Sequence, residues 1–201
     1  YAPLIGPVLL TGILKQAAGQ SVFEFARENL FIPLKITAER SIVFHSKEEQ
    51  LAFNKATDIS GWVSDPSGTN TGGWGLTLSA ADMAKLGQLY LQRGRWTVDG
   101  AEKQLLPESW IAESTKMDTP TREGDYSSGY GYQIWSFGAK GAYQFNGMLG
   151  QYVIVLPERD MVLALTSGSP SLFADETCHI VEKYFGDGAK ELSDGPLPND
   201  I

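Results

Sequence analysis

The sequence predicts an α+β fold, helices plus an antiparallel sheet. Three observations carry this. Apolar residues recur at helical spacing, behind N-capping residues, through the first half. The last third switches to runs rich in aromatic and β-branched residues, parted by turn residues. One more helical stretch then closes the chain. Strands and helices do not alternate as a doubly wound parallel sheet requires.

The elements follow in order. Pro7 to Ala18 predicts a helix, with Pro7 at its first position, Leu10, Ile13, Leu14 and Ala17 on one face, and Gly19 as terminator. Ser21, with Glu24 three residues on, is a capping box for a second helix. Val22, Phe25 and Ala26 should be its apolar face, and it should stop before Pro33. Ser46 and Glu49 form another capping box, opening a short helix through Leu51 and Phe53. Gly61 to Leu76 is rich in Gly, with Pro66, Ser67, Thr69 and Asn70, and predicts a long loop, either functional or a surface connection.

Ser79 and Asp82 cap the next helix, in which Met83, Leu86 and Tyr90 share a face and which Gly94 ends. Asp99-Gly100 predicts a hairpin turn. Pro107 opens a helix carrying Trp110 and Ile111, and Asp118 to Ser128 is polar and expected to be mobile. Tyr130 to Phe137 and Tyr143 to Gly147 predict strands. Gln151 to Leu156 and Met161 to Ser167 predict a hairpin that is apolar on both faces, hence central and covered by helices. Leu172 to Phe185 predicts the last helix, with Phe173, Ile180, Val181 and Tyr184 inward. Asp187 to Ile201 predicts a loose acidic tail.

The 201 residues suit one domain or a tight pair, and 42% hydrophobic content supports a buried core. A net charge of −8 and a pI of about 4.8 leave no basic stripe for nucleic acid or an anionic membrane. No apolar run is long enough for a membrane-spanning helix. Cys178 is the only cysteine, so an intrachain disulfide is excluded. His45 and His179 have no partner at metal-ligand spacing, so a zinc site is not expected. The chain begins at Tyr1 without an initiator Met or a signal-like segment and reads as a mature fragment. Trp62, Trp74, Trp96, Trp110 and Trp135 are expected in the core rather than lining a cleft. Lys85 should be solvated or paired with Asp82, and Cys178 should be a small buried hydrophobe.

Gly72-Gly73-Trp74-Gly75-Leu76-Thr77-Leu78-Ser79 runs into Asp82-Met83-Ala84-Lys85-Leu86-Gly87-Gln88-Leu89-Tyr90-Leu91. Gly94-Arg95-Trp96, Leu106-Pro107-Glu108-Ser109-Trp110, Tyr130-Gly131-Tyr132-Gln133-Ile134-Trp135, Gly147-Met148-Leu149-Gly150-Gln151 and Pro157-Glu158 follow in order. From about Val8 to Phe185 the chain resembles the serine β-lactamase-like hydrolases. These include class C β-lactamases, penicillin-binding D-alanyl-D-alanine peptidases, D-aminopeptidases and related esterases. The resemblance implies a partial β-lactamase/transpeptidase-like fold, residues 1–186, lacking its N-terminal strands and nucleophile helix.

The resemblance also implies chemistry. The family's first motif is Ser-x-x-Lys, in which one helical turn sets an amine beside the nucleophilic hydroxyl. No serine here has a Lys three residues on; Ser41, Ser46, Ser79, Ser109 and Ser114 all fail the test. The nucleophile is therefore expected outside this chain, and the chain alone is expected to be inactive. The second motif is a tyrosine that relays a proton. Tyr1 fills that catalytic position if one residue is inserted; counting without gaps puts Ala2 and Leu4 there.

The third motif, a cleft-lining strand, corresponds to Phe145-Asn146-Gly147. Phe145 supplies no charge, Asn146 could hydrogen-bond substrate, and Gly147 admits close approach. The next residue, Met148, would lend a backbone N–H to an oxyanion hole. The parent protein is then expected to be a serine hydrolase of amide, β-lactam or ester bonds acting through an acyl-enzyme, with a small-molecule or peptide-like substrate. The alternative is a non-catalytic ligand-binding or interaction module on the same fold. Self-association, or docking of a missing N-terminal segment, is expected where the sheet lacks a neighbour. Family resemblance implies neither a metal nor an organic cofactor and favours an exported protein, periplasmic or extracellular.

Overall fold

The computed structural model describes residues 5–121, 127–138, 141–168 and 174–185. The tail expected from Asp187 onward, Tyr1 and Phe173 lie outside the described residues. The chain divides into two compact units, Tyr1–Pro107 and Glu108–Ile201. The first holds ten acidic and ten basic residues and the second fourteen and six, so the whole charge of −8 belongs to the second.

In the first unit, α1 (Ile5–Ala18) ends at Gly19, whose φ of 67° is the left-handed conformation that closes a helix. Its expected apolar face is not the buried one. Leu10 and Ile13 are exposed, and Thr11 is buried. Pro7, Thr11 and Lys15 share a face by their spacing of four. That face meets the 64–75 segment: a Cβ on Gly72 would lie 2.1 Å from the Pro7 carbonyl, and Lys15 Nζ donates to the Ser67 carbonyl at 2.6 Å. Polar and backbone contacts thus override the hydrophobic period.

α2 (Val22–Ala26) begins as expected, the Glu24 N–H donating to Ser21 Oγ at 3.1 Å. Its buried residues are Val22 and Phe23, while Phe25 is exposed. The helical path does not stop before Pro33. A π-turn at Arg27–Phe31 resets the hydrogen-bond register, and α3 (Ile32–Leu34) carries Pro33 in its first turn, where no N–H is needed. Phe23, Phe31, Leu34, Ile36, Ala38 and Leu89 form the core of this unit. Each such large side chain contributes about 1.5–3 kcal/mol of transfer free energy.

β1 (Ser41–Ile42), α4 (Lys47–Phe53), β2 (Gly61–Val63) and β3 (Leu76–Thr77) come next. β1 and β2 pair parallel, β2 and β3 antiparallel. The start of the expected 61–76 loop is therefore strand. Gly61 allows it: a Cβ there would lie 2.4 Å from the Arg40 carbonyl. α5 (Ala80–Leu91) is capped by Ser79 and followed by the hairpin β4 (Arg95–Val98) and β5 (Ala101–Gln104), turning at Asp99 (φ 52°) and Gly100 (φ 80°) as the sequence predicts.

The second unit opens with α6 (Glu108–Ser114). Its strands are β6 (Thr119–Pro120), β7 (Gly129–Tyr130), β8 (Trp135–Ser136), β9 (Tyr143–Gly147), β10 (Gln151–Leu156) and β11 (Met161–Leu165). They form one antiparallel sheet in the order β11-β10-β9-β8-β7-β6. The sequence differs from this in three places. Thr119-Pro120 is strand rather than part of a polar loop. The expected strand from Tyr130 to Phe137 is two strands, broken where Gln133 takes φ 62°. Among the described residues the β10–β11 hairpin is not central, because β11 stands at the edge of the sheet.

α7 (Ala174–Phe185) buries Cys178 and Val181 against Tyr152, Ile154 and Leu156 of β10, with Phe137 and Ala142. Ile180 and Tyr184, expected inward, are exposed. The inward stripe is Thr177, Cys178 and Val181, so the helix is rotated from the face the larger side chains suggest.

Candidate functional site

β9 delivers Asn146 and Gly147 to one end of the six-stranded sheet. The ladder runs without a bulge from Tyr143 opposite Val155 to Gly147 opposite Gln151. Three residues, Met148, Leu149 and Gly150, then turn the chain into β10. Leu149 (φ 68°) and Gly150 (φ 93°) are both left-handed, and this sets the turn sharply against the strand end. The Met148 side chain is 86% exposed. A Cβ on Gly147 would lie 3.3 Å from the Gln151 Cβ, a tight contact that Gln151 would have to relieve by a few tenths of an ångström.

Alternation along β9 divides these residues between faces. Asn146 shares a face with Gln144 and is registered opposite Tyr152, on the side that carries α7. Phe145 and Gly147 share the opposite face. Asn146, Phe145 and Gly147 are each half-buried. Tyr1, the remaining expected site residue, lies outside the described residues.

Gln144 is a structural residue that sequence reasoning missed. It is fully buried, with Nε2 donating to Ser127 Oγ and to the Ser136 carbonyl, each at 3.2 Å, and Oε1 facing Cys178 Sγ at 3.9 Å. Ser136 Oγ in turn accepts from the Gly129 N–H at 2.9 Å. This network ties β7, β8, β9 and α7 together beside the strand that carries Gly147. The available signal was a glutamine between two aromatics in a strand. Its partner Ser127 is too remote in sequence to be inferred.

The segment between β2 and β3 is a built loop. Asp65 accepts from Ser67 Oγ at 2.7 Å and from the Thr69 N–H at 2.8 Å, and these bonds, Ser67 foremost, hold its carboxyl below the ordinary value. Asn70 is fully buried, accepting from the Phe23 N–H at 2.9 Å and donating to Ser41 Oγ at 3.2 Å. Trp62 Nε1 donates to the Thr71 carbonyl at 2.7 Å. Among the tryptophans expected in the core, Trp62, Trp96 and Trp135 are half-buried, while Trp74 and Trp110 are exposed. Lys85 pairs with Asp82 at 2.6 Å, as the sequence suggested.

The second unit also holds a cavity of about 360 Å³, lined among others by Thr115, Met117, Ser128, Ser136, Phe137 and Tyr143. It lies at the start of β9, the opposite end from Gly147. Among the described residues no three His, Cys, Asp or Glu gather as metal ligands, and no helix is long and apolar enough to cross a membrane.

Comparison with known proteins completes the picture. The family model described as Beta-lactamase matches residues 5–179. Among solved structures, the octameric penicillin-binding protein homologue from Pyrococcus abyssi is similar at TM-score 0.60 and 21% identity, covering 92% of this chain and 42% of that one. A penicillin-binding protein homologue from Caulobacter crescentus is similar at TM-score 0.53 and 15% identity, covering 89% and 55%. This chain thus spans about half the length of the structures it matches. No curated protein matches it. The likeness of these structures shows a partial β-lactamase-like fold of helices and sheet, and the family match over most of its residues shows that the chain belongs to the Beta-lactamase family.

Proposed function

We propose that this chain forms one wall of an acyl-transfer site in a serine hydrolase of amide, β-lactam or ester bonds. The observation that supports this reading is β9 itself, a regular strand ending in Gly147 and a tight turn at the position of the family's cleft-lining motif. In this reading a serine on polypeptide outside residues 1–201 attacks the substrate carbonyl. The backbone N–H of Met148 is one donor to the tetrahedral oxyanion, the leaving group departs, and water releases the acyl group. Gly147 keeps that approach open on its face of β9; Asn146, on the α7 side of the strand, reaches substrate only where the strand ends, beyond Tyr152.

Intact-mass spectrometry after incubation with a penicillin and with a fluorophosphonate tests this. The chain alone should take up no covalent adduct, and a longer form carrying a Ser-x-x-Lys segment should take up one. A stoichiometric adduct on a serine of the chain alone would overturn the assignment of the nucleophile elsewhere.

Phe145 supports a second reading, a non-catalytic binding module on the same fold, because it places a ring where the family motif holds a Lys or His. A longer form that binds substrate-like amides without forming an adduct would favour it. On either reading the outer edge of β11 is a place for a further strand, whether from a preceding segment or from a second copy. The octameric state of the Pyrococcus abyssi homologue supports the second copy.

A further inference from the structure

Two exposed aromatic rings stand together on the second unit, away from its buried core. Trp110 of α6 is 44% exposed and Tyr132 of the β7–β8 turn 55% exposed. Their ring centroids are 5.5 Å apart with the planes tilted by 48°. The backbone fixes this arrangement. The Tyr132 N–H donates to the Ser114 carbonyl at the end of α6 at 3.1 Å, and a Cβ on Gly131 would lie 2.5 Å from that same oxygen. The Gly131 N–H closes the turn on the Ile134 carbonyl at 2.8 Å, and Ile134 is buried. The turn therefore cannot swing away from the helix without breaking its own hydrogen bonds. The two rings are preorganised.

The chemistry beside the rings is anionic. Glu113, one helical turn from Trp110, accepts a hydrogen bond from the Tyr132 hydroxyl at 3.4 Å and makes no ion pair among the described residues. Lys116 is paired with Asp118 at 3.0 Å, and its charge also feels Glu113 and Tyr132, so an incoming cation has to share that carboxylate's field with it. The unit as a whole carries the full charge of −8. Aromatic faces are negative and attract cations, and a carboxylate at their edge adds to that attraction. A flat sugar ring would want parallel stacking and an array of neutral donors, whereas a tilted pair edged by a carboxylate suits a compact positive group.

We propose that Trp110, Tyr132 and Glu113 form a recognition site for a small organic cation, an alkylammonium or quaternary ammonium group. The proposal goes beyond acyl transfer and does not depend on it. The test is titration of the 201-residue chain with choline and, separately, with its neutral isostere 3,3-dimethylbutan-1-ol, following the tryptophan indole N–H resonances. Choline should shift the Trp110 resonance saturably and bind about fivefold tighter than the isostere, the preference expected of two exposed cation–π contacts. Tyr132→Leu keeps the Trp110 reporter and removes the second ring, so it should weaken choline at least about threefold and erase its preference over the isostere. Glu113→Gln keeps both rings and removes the charge, so it should weaken choline about threefold and leave the isostere unchanged. Equal affinity for the two ligands, or choline binding that neither variant alters, overturns the proposal.

Discussion

Asp82 carries its charge inside the protein, and its surroundings explain how. The residue is 5% exposed. Burial alone pushes its carboxyl upward. Hydrogen bonds from Lys85 at 2.6 Å, Ser79 Oγ at 3.0 Å and the Thr37 N–H at 3.4 Å together outweigh burial and hold it below the usual carboxylate value. Lys85 also donates to the Lys35 carbonyl, so the pair links the start of α5 to the end of α3. A carboxyl whose folded pKa lies below its unfolded one adds stability above the unfolded value, near pH 4. That stability is lost as pH falls through the folded value. Asp82→Asn should therefore cost about 1.5–3 kcal/mol at pH 7, the range for hydrogen bonds to a charged group. The gap between variant and parent should narrow steadily below pH 4. Urea unfolding of both proteins at pH 7 and pH 3 checks this, and a gap of equal size at both would mean the charge is not what the site stabilises.

At the scale of elements, α5 and the β4–β5 hairpin are joined through one glycine. Gly94 has φ 82°, and a Cβ there would lie 2.0 Å from the Leu106 carbonyl. Its own carbonyl accepts from the N–H groups of Leu105 and Leu106. Gly100, at the hairpin tip, has a similar φ of 80° but nothing within 4 Å of a Cβ. Gly100→Ala should cost about 1 kcal/mol, the conformational penalty alone. Gly94→Ala adds a clash with backbone and should cost about 3 kcal/mol or more. Thermal unfolding of the two single variants separates conformation from contact.

Both glycines, the capping boxes at Ser21 and Ser46, the cap at Ser79, and the β10–β11 hairpin were legible because their causes are local. What was not legible depends on neighbours distant in the chain. α1 turns Thr11 inward because Pro7 and Lys15 meet the 64–75 segment. α2 continues into a π-turn that no local residue announces. The expected strand from Tyr130 breaks because its turn docks on the Ser114 carbonyl. The same holds for the site. The strand carrying Gly147 and its turn could be read from sequence, whereas the Gln144–Ser127–Ser136 network beside it joins two strands and the segment before β7 and could not.

For the molecule as a whole, the edge of the six-stranded sheet decides how the chain behaves in solution. β11, Met161 to Leu165, carries no charged residue, no proline and no bulge, which are the usual guards of an edge strand. Met161, Leu163 and Leu165 pack toward the α7 core, which leaves Val162 and Ala164 on the other face. The second unit's charge of −8 opposes association in general, yet repulsion between dispersed surface charges is screened beyond about 8–10 Å at moderate salt, whereas strand pairing acts at contact. Raising salt should therefore favour association rather than suppress it. Sedimentation velocity of the chain should show species larger than a monomer, their share growing with protein concentration and with salt. Ala164→Lys places a cation on the edge without entering the α7 core and should return the chain to a monomer. A parent chain that stays monomeric across concentration and salt would mean the edge of β11 is already covered, and the place assigned here to a second copy or a preceding segment would be lost.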